Sequence, residues 1–280
     1  MKKLLSIFPY LFAAILVSLT WHLFFSHWSF SDFYKAAALA AGEFLQLQMF
    51  GFSPIFCATG VAWYLSATLI AKVLLYPIVY FYISKGQKAF VSIISIATLF
   101  LYGYLSHEHP AMTPGEWIGI TYVGTLRGLA GISLGIICFE FCAFLEKLNF
   151  NLIGRLIISC IEVACYAGCI LCMKFCKNTI WNFHIIFLLF VAISISLSEL
   201  SFMSYVNKFK CSFLKKASIS IYLSHFYIVQ NFENLYPNLS NKKAIFLIIG
   251  QICICSLATY TLANFIKTNV RALLLKLRIV

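Results

Sequence analysis

The chain has 280 residues, of which 62% are hydrophobic and only 11% charged, and its mean hydropathy is +0.90. A soluble domain carries about 25% charged residues, so a water-soluble globule is excluded. Lysine and arginine outnumber aspartate and glutamate 21 to 9, giving a net charge of +12, which in a membrane protein is first an orientation signal rather than a sign of nucleic-acid binding. Most of the 11 cysteines lie inside apolar runs, where a thiol behaves as a small hydrophobe, so they form no disulfide framework.

A helix needs roughly 20 apolar residues to cross the hydrocarbon core. In chain order the runs that meet this are 5–25, 55–82, 89–106, 126–146, 155–173, 180–199, 217–235 and 244–266. Met1-Lys2-Lys3 before an apolar run imitates a secretory signal, but no small-residue cleavage pattern follows, and the run is expected to stay as an anchor. Segment 28–54 is interrupted by Asp32, Lys35 and Glu43 and reads as a helical excursion along the membrane surface, punctuated by Gly51 and Pro54. The predicted fold is all-α: a single membrane-embedded domain over 1–280, a polytopic transmembrane helical bundle of about eight spans.

With the amino terminus in the cytoplasm, Lys35, Arg127, Lys174, Lys177, Lys242 and Lys243 fall outside and most other basic residues fall inside. The positive-inside rule therefore predicts both termini cytoplasmic in a multi-pass protein of the inner membrane. Membrane lipids are the partners this charge implies, and nucleic acid is not needed to explain it.

Ionisable residues inside a membrane are costly, and each is a functional hypothesis. At 1.5 Å per residue, Glu140 lies roughly 9 Å deep, Glu162 roughly 10 Å, and Lys72 and His225 roughly 12–14 Å. One layer in the cytoplasmic half is thus predicted, with Lys72 facing Glu140 or Glu162. Two readings stay open: structural ion pairs and a hydrogen-bonded histidine joining helices, or a polar cavity open to the cytoplasm with His225 as proton acceptor.

Ser218, Tyr222 and His225 share a helix face, but Ser218 and His225 are about 10 Å apart along it, too far for a serine nucleophile. The Cys165, Cys169, Cys172, Cys176 stripe cannot wrap one zinc from a single helix and reads as packing. His107-Glu108-His109 reads as a solvated turn before Pro110. No metal is expected.

Four stretches then carry a resemblance. Ser218 to His225 resembles the S-x-x-I-Y-L-x-H signature of the bacterial acyltransferase 3 family. Trp63-Tyr64-Leu65-Ser66 resembles its W-S/Y-L-S-x-E stretch, Arg127 to Gly135 its mid-chain R…G helix, and Lys2 to Tyr10 its basic R-R-x-x-R-I-x-P-Y stretch. All four occur in the family's order. The resemblance implies an integral membrane O-acyltransferase that moves an acyl group, often acetyl from acetyl-CoA on the cytoplasmic side, to a sugar hydroxyl of an envelope polysaccharide or lipid-linked glycan. No cofactor is held permanently; acetyl-CoA is a substrate. The partners implied are a carbohydrate acceptor and membrane lipids.

Carried over by position, His225 is the positioning group or substitute base, Tyr222 its hydrogen-bond support, and Arg127 an acceptor-orienting group. Lys2, Lys3, Lys72, Glu140, Glu162, Trp63 and Ser66 are candidates for binding donor or substrate. The family has a carboxylate where Thr68 stands and a third arginine where Ser6 stands. Its first two helices, with the histidine usually taken as catalytic, find no counterpart, so a shortened domain is expected, with an upstream two-helix fragment as a possible partner. Two other classes remain: a non-catalytic family member acting as a membrane partner, and a glycan transporter or polymerase.

Overall fold

The computed structural model describes residues 6–26, 28–85, 89–111, 113–148, 150–175, 181–202, 212–236 and 241–276. Among them are nine helices: α1 (Phe8–Phe25), α2 (Phe30–Phe44), α3 (Trp63–Ser84), α4 (Ala89–Glu108), α5 (Val123–Leu145), α6 (Leu152–Phe175), α7 (Trp181–Leu197), α8 (Ser212–Leu235) and α9 (Asn241–Lys276). A two-residue hairpin, β1 (Trp117–Ile118) and β2 (Thr121–Tyr122), is the exception, with Trp117 opposite Tyr122. Every apolar run of the sequence has its helix, and the protein is an all-α, polytopic helical membrane protein. Six of the nine helices (α1, α3, α4, α5, α6 and α9) are long and apolar enough to cross a bilayer. The apolar part of α7, Phe183–Leu197, is shorter, and α8 carries Lys215, Lys216, His225 and Asn231 among its apolar residues.

The helices divide into two compact units. The first comprises residues 1–66 and 211–280. At its centre stands α1, opened by Pro9 in its first turn, where proline's missing N–H costs nothing. Tyr10, Leu11, Ala13, Ala14, Ile15, Ser18, Leu19, Trp21 and His22 are all buried, so the helix is enclosed nearly all round, as a helix without one apolar stripe must be. Small residues on its neighbours (Ala40, Ala58, Ala62, Ala263) line the same core and let backbones approach closely. The buried positions of α8, Ser220, Leu223, Ser224, Tyr227 and Ile228, follow helical periodicity and mark the side that packs inward.

Ser29 and Asp32 close a capping box that starts α2: Asp32 N–H donates to Ser29 Oγ and Ser29 N–H to Asp32 Oδ2, both at 3.2 Å. The Ser29 hydroxyl, donating to Asp32 Oδ2 at 2.6 Å, and after it the Ser29 N–H hold the exposed Asp32 carboxyl below its ordinary range. Contrary to a surface excursion, α2 runs back beside α1. Trp28, just before it, stacks on His22 near the carboxyl end of α1. Phe44, its last residue, meets Phe8 and Phe12 edge-on at the amino end, at 5.4 and 5.7 Å. Contacts at both ends of a helix about 22 Å long fix an antiparallel course.

The second unit comprises residues 67–210, with α6 against α7, α4 against α5, and α5 against α7. Gly128 of α5 is a close-approach position, since a Cβ there would lie 2.7 Å from that of Ala67. Apolar residues such as Phe100, Ile170 and Phe246 on helices of either unit are mostly exposed, as on surfaces that face lipid. At the hairpin, His109 Nδ1 lies 2.7 Å from Glu116 Oε1, and His107 pairs with Glu108. Among the described residues no group of metal-binding side chains assembles.

Candidate functional site

The run read as a span from residue 55 begins its helix only at Trp63. Between α2 and α3 the backbone is irregular apart from one 3-10 turn, Gln48–Phe50. Three residues here take left-handed φ values: Gln46 (59°), Gly51 (81°) and Gly60 (69°). Glycine suits that region, whereas Gln46 is held in it at a cost of about 1–2 kcal/mol. At Gly60 the lack of a side chain is needed twice, because a Cβ would also sit 2.4 Å from the Phe226 ring.

Irregular backbone packed among spanning helices must find hydrogen-bond partners inside the protein. Four side chains supply them. The Glu43 carboxylate, fully buried at the end of α2, accepts from Ala58 N–H at 2.7 Å and Thr59 N–H at 3.0 Å, and also from the Thr59 hydroxyl. Ser18 of α1 donates to the Ala58 carbonyl. Tyr222 of α8 donates to the Val61 carbonyl at 3.2 Å. Ser66 of α3 donates to the Gln46 carbonyl at 2.6 Å and accepts from Met49 N–H at 3.2 Å. Segment 45–62 is therefore held in shape by α1, α2, α3 and α8 together.

Burial raises the Glu43 carboxyl above its ordinary range, and the bonds from Thr59 and Ala58 oppose that shift without cancelling it. Burial, and then the neighbouring Glu43 charge, push the Cys57 thiol up to about 12. This thiol is not a nucleophile near neutral pH.

One helical turn beyond Ser18 lies His22, buried at 7% exposure. Its ring stacks face to face on Trp28 (4.3 Å, 7°), meets Trp21 edge-on and lies near Tyr227. Its Nδ1 is 3.1 Å from Ser26 Oγ. In the tautomer where Nδ1–H donates to that hydroxyl, Nε2 keeps the lone pair a general base needs.

The residues expected from sequence separate into groups. In the first unit, Ser66 and Tyr222 bond segment 45–62 directly, and Trp63 opens α3 at its end. His225 sits one turn from Tyr222, half-buried, with Nδ1 2.8 Å from the Tyr222 carbonyl of its own helix. In the second unit, Glu162 is buried, its Oε2 without a hydrogen-bond partner among the described residues, whereas Lys72 and Glu140 are exposed. The pairing of Lys72 with Glu140 or Glu162 does not occur among the described residues. Depth arithmetic gave the height of these groups but not the helix face on which each sits. Arg127 is half-buried in the first turns of α5. Lys2 and Lys3 lie outside the described residues, as does Cys176; Cys165 and Cys169 are buried packing residues.

Sequence reasoning missed Ser18, His22, Glu43, Gln46, Gln48 and Thr59. His22 is an ionisable side chain inside an apolar run, the same signal that singled out His225. Glu43 served only as an argument against a span. A cavity of about 140 Å³ in the second unit, bounded by Leu99, Leu134, Ile137 and Phe187, offers no comparable chemistry. The nearby Ser95 and Thr98 hydroxyls are spent on their own helix's carbonyls.

The first unit thus contains two imidazoles, a buried carboxylate and irregular backbone among membrane helices, and either imidazole has the chemistry to take a proton from a bound hydroxyl. No curated protein and no solved structure matches the chain. The family model of the acyltransferase domain matches residues 1–264. Nearly the whole chain is covered, and it belongs to the acyltransferase 3 family of membrane acyltransferases.

Proposed function

We propose that the protein transfers an acetyl or similar acyl group from a cytoplasmic thioester, acetyl-CoA by family resemblance, to a sugar hydroxyl of an envelope polysaccharide or lipid-linked glycan at the inner membrane. The observation that carries this reading is the His22 niche: a buried imidazole oriented by Ser26 and Trp28, one helical turn from the Ser18 hydroxyl that bonds Ala58 of segment 45–62. The acceptor hydroxyl gives its proton to His22 Nε2 as its oxygen bonds to the thioester carbon. The carbon–sulfur bond then breaks, and the departing thiolate takes up the proton as free thiol. His225, supported by Tyr222, is the second candidate base.

Membranes from cells expressing the whole chain, supplied with acetyl-labelled acetyl-CoA, test the reading. Label in the envelope glycan fraction that is lost in His22→Ala supports it. No incorporation either by the wild-type chain alone or with a co-expressed upstream two-helix segment overturns it, and incorporation only with that segment makes the protein one half of a split enzyme.

A further inference from the structure

The side-chain amides of Gln46 and Gln48 are buried (1% and 0% exposed), and none of their four polar atoms has a hydrogen-bond partner among the described residues. Each such group costs free energy on the order of 1–3 kcal/mol, and native proteins keep few of them. A methionine would fill either place without that cost. Both amides belong to one turn, closed by the two hydrogen bonds of Ser66, and Gln46 is held there in a left-handed conformation. Such strain and polarity, retained together, mark a site whose partner comes from outside the chain.

The donor set identifies the partner's chemistry. A carboxamide presents an acceptor carbonyl and two N–H donors. A cation satisfies only the carbonyls and an anion only the N–H groups, whereas groups that both donate and accept, a secondary amide or a hydroxyl, complement both. Two carboxamides on one turn therefore suit a flexible chain carrying two amides.

Position narrows the choice. Phe44, two residues before Gln46, abuts Phe8 and Phe12, so the turn follows the amino end of α1. At that end the Lys267 ammonium lies 4.3 Å above the Tyr10 ring, with Lys216 as a like-charged neighbour. Helix α1 thus passes cationic groups at Tyr10 and the amide turn near Phe8 and Phe12, and reaches His22 about 18 Å of rise beyond Tyr10.

Resting on the acyl-transfer reading above, we infer that Gln46 and Gln48 bind the two amides of the pantetheine arm of the acyl-CoA donor, with its phosphates toward Lys267 and Lys216 and its thioester toward His22. The four amide atoms have essentially no exposed surface, so the turn must swing away from Ser66 to admit the arm.

Purified full-length protein and its Gln46→Met/Gln48→Met double variant are compared by thermal unfolding with three probes: acetyl-CoA, pantetheine, and adenosine 3′,5′-bisphosphate. The double variant alone is expected to match or exceed the wild-type Tm, because burial of the amides is relieved. Pantetheine raises the wild-type Tm but not the variant's, while the bisphosphate still acts on both, and KM for acetyl-CoA rises about tenfold or more. No response of the wild type to pantetheine, or an equal response in both proteins, overturns the inference. So does a double variant with reduced Tm, since the amides are then structural. Stabilisation by acetyl-CoA and pantetheine without any acyl transfer sinks the transfer reading and leaves this site standing; transfer with an unchanged KM in the variant does the reverse.

Discussion

The Glu43 carboxylate and Thr59 are joined twice, through the Thr59 backbone N–H at 3.0 Å and through its hydroxyl. This makes a side chain at the end of α2 the anchor of backbone that no helix or sheet supports. Glu43→Gln replaces one acceptor oxygen with an N–H₂ that faces donors, orphaning at least one backbone N–H at about 1–3 kcal/mol. Glu43→Ala orphans both Ala58 and Thr59 N–H groups and costs more. A lower Tm for the full-length protein in detergent, graded in that order, is the expected result.

His22 and His225 are separable by their use of Nδ1. In His225 it lies against a carbonyl of its own helix, and in His22 against a serine hydroxyl. His22→Ala is expected to lower acyl transfer by about 10²–10⁴-fold, the range of general base catalysis. His225→Ala is expected to cost less. Rates measured at equal amounts of membrane-inserted protein check both, and a larger loss at His225 reverses the assignment.

Gly60→Ala is expected to be among the most damaging single-methyl additions in the first unit. It forces a left-handed φ on a residue with a Cβ, about 1–2 kcal/mol, and drives that Cβ into the Phe226 ring. Combining it with Phe226→Ala relieves the collision but not the backbone cost. Partial recovery of Tm in the double variant is the outcome to look for.

Cys57 should resist alkylation. Its thiol is raised from an ordinary 9.0 to about 12, so almost no thiolate is present at pH 8. Because the folded value lies above the unfolded one, this group's contribution to stability is complete below pH 9 and is lost as pH rises toward 12. Iodoacetamide labelling followed by mass spectrometry, native against denatured, measures the protection directly. In Glu43→Gln, where the adjacent charge is removed, labelling at alkaline pH should quicken.

Helix number and position were readable because long apolar runs have few folded alternatives in a membrane. The exception is instructive. Residues 55–62 are as hydrophobic as a span, but their hydropathy carries no information about Gly60's positive φ or about who bonds the Ala58 and Thr59 N–H groups. Their partner Glu43 stands 15 and 16 residues earlier, beyond any periodic pattern. Tyr222 and Ser66 were found through motif position, and Lys72 and Glu140 through depth alone. A residue count along one axis cannot say which side chains face inward, and both proved exposed. Exposure is tolerable for Lys72 because a long aliphatic stem lets the ammonium reach toward the interface.

The Tyr222–Val61 bond joins residues 161 positions apart, and this fixes an order of assembly. Val61 leaves the ribosome on the order of 10–30 seconds before Tyr222, at 5–20 residues per second. Through that interval Ser18, Glu43 and Ser66 are already present to hold the irregular stretch, while one carbonyl waits for its donor. A newly made chain stalled before α8 should therefore display this stretch to proteases and quality-control factors, and completion of α8 would hide it.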